Sequence, residues 1–191
     1  LNNDDYVEVA QNIEALASVD YLSISAGTSR DNHMIVPPMD TPEGLYVDYA
    51  ANIRAAVTLP VMAVGRLKNP QLAEEVIATG KADVVAQARA LIADPFWVQK
   101  LNEKSPQQIR PCIGCNQGCF GYLYTNRPIT CAVNPAVGHE RTIGHGTETS
   151  SSGSVLVVGG GPAGMEAAIA ARERGLEVTL AEASDTLGGQ I

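Results

Sequence analysis

Residues 154–164 read SVLVVGGGPAG, from Ser154 to Gly164, and this stretch decides how the C-terminal part of the chain folds. Ser154-Val155-Leu156-Val157-Val158 is short, apolar and rich in valine, which predicts a strand. Gly159-Gly160-Gly161-Pro162-Ala163-Gly164 fits G-x-G-x-x-G, and Pro162 opens a predicted helix that runs to Arg174 and stops at Gly175. Glu177 to Ala181 predicts a second strand, with Glu182 at its end. Each part of such a unit has a mechanical task. Gly159 makes the tight turn, Gly161 lets the backbone approach a pyrophosphate, and Gly164 lets the helix lie close to the sheet. The free N–H groups and partial positive charge of the helix N-terminus hold phosphates, with Pro162 and Ala163 in that first turn. Glu182 would accept hydrogen bonds from a ribose and repel a 2′-phosphate.

Upstream, Ile143 to Gly153 (IGHGTETSSSG) is a polar Gly/Ser/Thr stretch that reads as a domain boundary. Before it, from Pro111 to Arg141, periodicity vanishes and Gly, Pro, Asn and Cys dominate. All four cysteines of the chain lie here, as C-x2-C-x3-C-x11-C at Cys112, Cys115, Cys119 and Cys131. Four soft thiolates on one loop can gather around one metal centre. The spacing alone leaves an iron–sulfur cluster and a structural zinc site open, because it shows only one C-x2-C knuckle and matches neither common ferredoxin pattern.

The first hundred residues alternate helix and strand. Tyr6, Val9, Ile13 and Leu16 recur at helical spacing behind the capping run Asn2-Asn3-Asp4-Asp5. Val19–Ile24, Val61–Val64 and Asp83–Ala86 predict short strands, separated by helices through Tyr46–Val57 and Leu72–Ile77. Ala88 to Lys100 predicts a helix that Pro95 breaks. Apolar strands between amphipathic helices mean parallel β/α units, and three strands are too few to close a barrel. Gly65-Arg66 and Ala88-Arg89 follow successive strands, where a small residue and a guanidinium suit a phosphate. The long loop from Ser25 to Gly44 also follows a strand and carries Arg30, Asp31 and His33; His33 is the candidate proton donor.

A net charge of −8 and scattered Lys and Arg argue against a nucleic-acid partner. No apolar run is long enough to span a bilayer. Clustered cysteines without a secretory signal point to a reducing compartment, the cytoplasm. Leu1 is not a methionine and Ile191 falls inside an unfinished pattern, so both ends read as cuts.

With its pieces in this order the chain resembles the NADH:flavin oxidoreductase and Old Yellow Enzyme-like iron–sulfur flavoproteins, the family of 2,4-dienoyl-CoA reductase and trimethylamine dehydrogenase. The stretches that carry the resemblance are VMAVGRLKNP, ADVVAQARALIADPFWVQKL, IRPCIGCNQGC, ITCAVNPAVGHE, VLVVGGGPAGMEAA and EASDTLGGQI. It implies the C-terminal part of an FMN-binding TIM (β/α)8 barrel over residues 1–104 and an iron–sulfur segment over 105–141. A linker over 142–153 and the start of a Rossmann-like FAD/NAD(P)-binding domain over 154–191 would follow. Cys112, Cys115, Cys119 and Cys131 would ligate a [4Fe–4S] cluster in place of zinc. Gly65, Arg66, Ala88 and Arg89 would hold the FMN phosphate, while Gly159, Gly161, Gly164 and Glu182 would hold FAD.

The resemblance further implies an enzyme passing electrons between NAD(P)H and a small organic substrate, as an enoyl-CoA-type reductase. The alternative within the family is an amine dehydrogenase or N-demethylase acting on a methylated amine and delivering electrons to a partner protein. The cysteine spacing favours the reductase. The family's catalytic histidine, however, sits in a Gly-Trp-His context where this chain reads Ala26-Gly27-Thr28-Ser29-Arg30-Asp31, with His33 displaced. From outside the enzyme class, a stand-alone iron–sulfur electron-transfer module would need neither Gly65-Arg66 nor the Ser25–Gly44 loop.

Overall fold

The computed structural model describes residues 3–16, 18–143 and 152–189. The chain divides into two compact units, Leu1–Gly138 and His139–Ile191, so the cysteine segment folds in one unit with the β/α repeats that precede it. Of the polar stretch Ile143–Gly153, residues 144–151 lie outside the described residues.

The first unit begins with α1 (Asn3–Leu16), β1 (Leu22–Ile24), a single-turn helix α2 (Asn32–Ile35), α3 (Val47–Ala56) and β2 (Val61–Ala63). It continues with α4 (Pro70–Ala78), β3 (Val84–Val85), α5 (Arg89–Ala93) and α6 (Trp97–Asn102). A 3-10 turn at Pro106–Gln108 and α7 (Phe120–Tyr124) lie in the cysteine segment. The three strands form one parallel sheet in the order β1-β2-β3, with Leu22 opposite Val61 and Met62 opposite Val84. The central strand is the most enclosed: Val61 and Ala63 are wholly buried, packed with Ala50, Ile53, Val57 and Val76 from α3, its exit and α4.

Local chemistry explains the boundaries. Asn69 caps α4 by accepting the Gln71 N–H at 2.9 Å, Pro70 occupies the first turn, and Gly80 leaves in the left-handed region at φ 69°. Pro95 separates α5 from α6 as expected. The first strand is shorter than its apolar run suggests, because only Leu22–Ile24 finds ladder partners on β2. The face of α1 differs as well. Val7 and Ala10 pack on the core, whereas Tyr6, Val9, Ile13 and Leu16 are exposed, leaving a second apolar stripe uncovered.

The second unit contains α8 (Glu140–Ile143), β4 (Ser154–Val158), α9 (Pro162–Glu173) and β5 (Glu177–Ala181). The two strands pair in parallel, in register from Ser154 opposite Glu177 to Val158 opposite Ala181, which makes β4-α9-β5 a βαβ unit. Among the described residues no helix is long and apolar enough to cross a membrane.

Candidate functional site

Residues that leave the C-terminal ends of the three parallel strands line a cavity of about 560 Å³ in the first unit. Ser25 borders it beyond β1, Gly65 and Arg66 beyond β2, and Ala88 and Arg89 beyond β3. The two small-residue–arginine pairs therefore converge on one space. Gly65 is required there by conformation and by room: its φ is 117°, and a Cβ would meet the Tyr46 ring and backbone at about 3.0 Å. Arg66 follows with φ 56°, and the pair forms a tight left-handed turn at the strand end. Its guanidinium donates to the carbonyl of Thr41 and, at 3.1 Å, to the Thr41 hydroxyl, which fixes the side chain at the rim.

The Ser25–Gly44 loop enters the site through α2. The Tyr46 hydroxyl donates to the Met34 carbonyl and pins that turn, and Ile35 and Val36 line the cavity. His33 is exposed and is not among the lining residues. The expected proton donor is therefore not brought together with the other candidates.

The cysteine segment closes one side of the same space. All four cysteines stand outside any disulfide and are half-buried, and all four line one small cavity. Its wall is shared with the larger cavity through Arg89, Ile92, Cys112 and Cys119. The Gly114 N–H points at the Cys112 sulfur at 3.4 Å, and the Gly118 carbonyl accepts the Thr130 N–H at 2.8 Å, drawing the third and fourth cysteines together. Gly118 leaves no space for a side chain, since a Cβ would lie 2.3 Å from the Thr130 hydroxyl. Among the described residues no three His, Cys, Asp or Glu side chains converge closely enough to hold a single metal ion.

Two buried polar residues outside the candidate set anchor this segment. Asp94 is 3% exposed and accepts from the Lys100 ammonium at 2.6 Å, the Arg110 N–H at 2.8 Å and the Phe96 N–H at 3.1 Å. Burial alone pushes its carboxyl up, but Lys100 and the two backbone donors outweigh that and hold it below its ordinary value. Arg110 in turn donates to the Val133 carbonyl at 2.8 Å, so the entry to the cysteine segment is tied to its exit. Asn134, also 3% exposed, donates to the Ile92 carbonyl at 2.9 Å and accepts the Ala136 N–H at 3.1 Å. The signal for Asp94 was present in the Ala93-Asp94-Pro95-Phe96 break, where an acidic residue occupies the helix gap.

In the second unit the glycine turn follows β4 as its spacing requires. Gly159 has φ 104°, and Gly164 sits so close to it that a Cβ would lie 1.9 Å from the Gly159 carbonyl oxygen. Gly161, Pro162 and Ala163 form the entry to α9, with Pro162 at its first position. Glu182 follows β5 and its carboxylate accepts the Gly160 N–H at 2.6 Å and the Ser184 N–H at 2.9 Å. The Ser184 and Gly160 donors hold that carboxyl below its ordinary value, so it is an anion fixed beside the turn. Oε2, which accepts the Gly160 N–H, retains acceptor capacity for a further donor. The Gly188 N–H returns to the Gly160 carbonyl at 2.8 Å, closing the far side of the turn.

Sequence comparison matches this architecture. Residues 2–108 match the NADH:flavin oxidoreductase / NADH oxidase family, and residues 154–191 match a family of FAD-dependent oxidoreductases. The chain belongs to the NADH:flavin oxidoreductase / NADH oxidase family. It is 45% identical to a metal reductase of Desulforamulus reducens over 80% of this chain and 23% of that protein. It is 41% identical to an NADH oxidase of Thermoanaerobacter brockii over 96% of this chain and 28% of that one. A solved 2-naphthoyl-CoA reductase bound to 2-naphthoyl-CoA superposes with a TM-score of 0.92 at 34% identity, covering all of this chain and 29% of that one. The chain thus spans between 23% and 28% of the length of these two curated relatives.

Proposed function

We propose that this chain carries the electron-relay centre of an FMN-, FAD- and [4Fe–4S]-dependent oxidoreductase that moves electrons between NAD(P)H and a small organic substrate. It would comprise the last strands of a TIM barrel, the cluster loop and the first βαβ unit of a Rossmann-like FAD domain. The observation that carries this reading is the shared wall: four thiols surround one cavity that abuts the arginine-lined cavity at the strand ends through Cys112, Cys119 and Arg89.

The donor set fits a cluster. Four cysteines ring one small cavity, and four thiolates are the ligand set of a [4Fe–4S] centre. The Gly114 N–H directed at Cys112 adds the kind of hydrogen bond that tunes a sulfur ligand. When bound, the flavins supply two-electron hydride chemistry and the cluster supplies single-electron transfer.

The chain's own residues have distinct tasks in this scheme. Gly65 and Ala88 bring backbone with little or no side chain to the cavity wall, and Arg66 and Arg89 supply charge with geometry matched to a phosphate. The Asp94 and Asn134 anchors keep the cysteine segment against the strand ends. Gly159, Gly161 and Gly164 with Pro162 and Ala163 present N–H groups to a pyrophosphate, and Glu182 takes a ribose hydroxyl. His33 receives no proton-transfer role, because it stands outside the cavity lining. The likeness to 2-naphthoyl-CoA reductase and the cysteine spacing support an aromatic or unsaturated acyl thioester as the substrate class.

The test is anaerobic reduction of the complete polypeptide by NADH or NADPH. In the wild type both flavins bleach together with the cluster absorption. In Cys115→Ser, which lacks one thiolate, only the flavin facing the nicotinamide bleaches. Full bleaching of both flavins in that variant would contradict the relay.

A further inference from the structure

Arg89 lines both cavities, yet its guanidinium is not idle between them. Its Nη1 donates to the Asn116 side-chain oxygen at 2.6 Å, and the Asn116 amide nitrogen donates to the Val36 carbonyl at 2.8 Å. The amide orientation is dictated by these partners, since the oxygen must face the guanidinium and the NH2 must face the carbonyl. Asn116 lies within the cysteine loop, between Cys115 and Cys119, with φ 57°, and its backbone carbonyl accepts the Gly121 N–H at 2.8 Å. One side chain thus joins three segments: the loop after β1, the arginine after β3 and the loop that carries the thiols.

We propose that Asn116 is a positioning residue that couples occupancy of the strand-end cavity by the flavin phosphate to assembly of the metal centre in the cysteine loop. This rests on the cofactor assignment above and deepens it. A guanidinium has five donors in a planar fork, so Arg89 can keep Asn116 on one nitrogen and offer the rest to a phosphate. Cysteine ligation fixes the loop, the loop fixes Asn116, and Asn116 fixes Arg89 in the orientation a phosphate needs. Side-chain freedom that would otherwise be lost on phosphate binding is already removed. Linkage makes the effect reciprocal: a cluster that tightens FMN binding is itself held more tightly when FMN is present.

The experiment measures the FMN dissociation constant by flavin fluorescence quenching on the complete polypeptide, with the cluster in place and after its anaerobic removal by chelation. The expected wild-type result is tighter binding with the cluster, by about tenfold, within the usual range of coupling between two sites. Asn116→Gly removes the amide where a left-handed backbone suits glycine, and its ratio falls towards one although iron and sulfide content is unchanged. Asn116→Asp keeps an acceptor for Arg89 and retains the ratio. A ratio near one in the wild type, or an undiminished ratio in Asn116→Gly, overturns the coupling while leaving the cofactor assignment standing. If Asn116→Gly cannot be loaded with iron, the wild type and Asn116→Asp decide, and a ratio near one in either overturns the proposal. Wild-type protein that binds neither iron nor FMN overturns the cofactor assignment first and this coupling with it.

Discussion

Asp94 shows how one side chain can set the geometry of a whole segment. It is nearly inaccessible, it meets an ammonium at 2.6 Å, and it holds the backbone two residues before Cys112. Removing it would break a partly buried ion pair with Lys100 and withdraw the carboxylate that accepts from the Arg110 N–H. We expect Asp94→Ala to destabilise the first unit by about 3 kcal/mol and to lower iron retention, measured by thermal melting and iron content. The pH dependence follows from the depressed carboxyl. Its stabilisation is fully present above the unfolded-state value of about 3.9 and is lost as pH falls through the lower folded-state value. The melting-temperature gap between wild type and Asp94→Asn should therefore narrow below about pH 4; a gap independent of pH would mean that the carboxylate's charge contributes nothing.

At the scale of elements, the βα turns set what can bind. In the second unit the Gly159 carbonyl and the α-carbon of Gly164 are so close that any side chain at 164 must displace the helix. Gly164→Ala is expected to cost about 1–3 kcal/mol through overpacking and to weaken FAD retention in the complete polypeptide, measured by flavin content after gel filtration. Unchanged retention would mean that the turn does not hold the pyrophosphate. Much of this level was legible beforehand. Valine-rich runs marked the strands, Gly80 and Gly175 marked helix ends, Pro95 marked the break between α5 and α6, and the glycine spacing marked the turn. What escaped was pairing across distance. Asp94 with Arg110, Asn134 with Ile92, and Arg89 with Asn116 join residues with no periodic relation, so no pattern in the sequence announces them. The buried face of α1 escaped for a different reason: the helix carries two apolar stripes, and only packing against α3 selects Val7 and Ala10.

For the molecule as a whole, the apolar surface left uncovered is informative. Tyr6 and Val9 on α1 are 51% and 47% exposed, and Leu156 and Val158 on β4 are 64% and 79% exposed. Strands of a parallel sheet normally have both faces covered, so these uncovered faces are apolar surface prone to association. The residues as a separate polypeptide are therefore expected to self-associate, read as a high-mass species in gel filtration, and a monomer with one cooperative melt would contradict this. The central claim is that the four cysteines hold an iron–sulfur relay between two flavin sites. Its most direct test is iron, acid-labile sulfide and zinc analysis of the complete polypeptide, freshly purified without oxygen. The account predicts about four iron and four sulfide per chain, as a thiolate-held [4Fe–4S] cluster requires. Stoichiometric zinc, with no iron and no capacity for reconstitution, would contradict it.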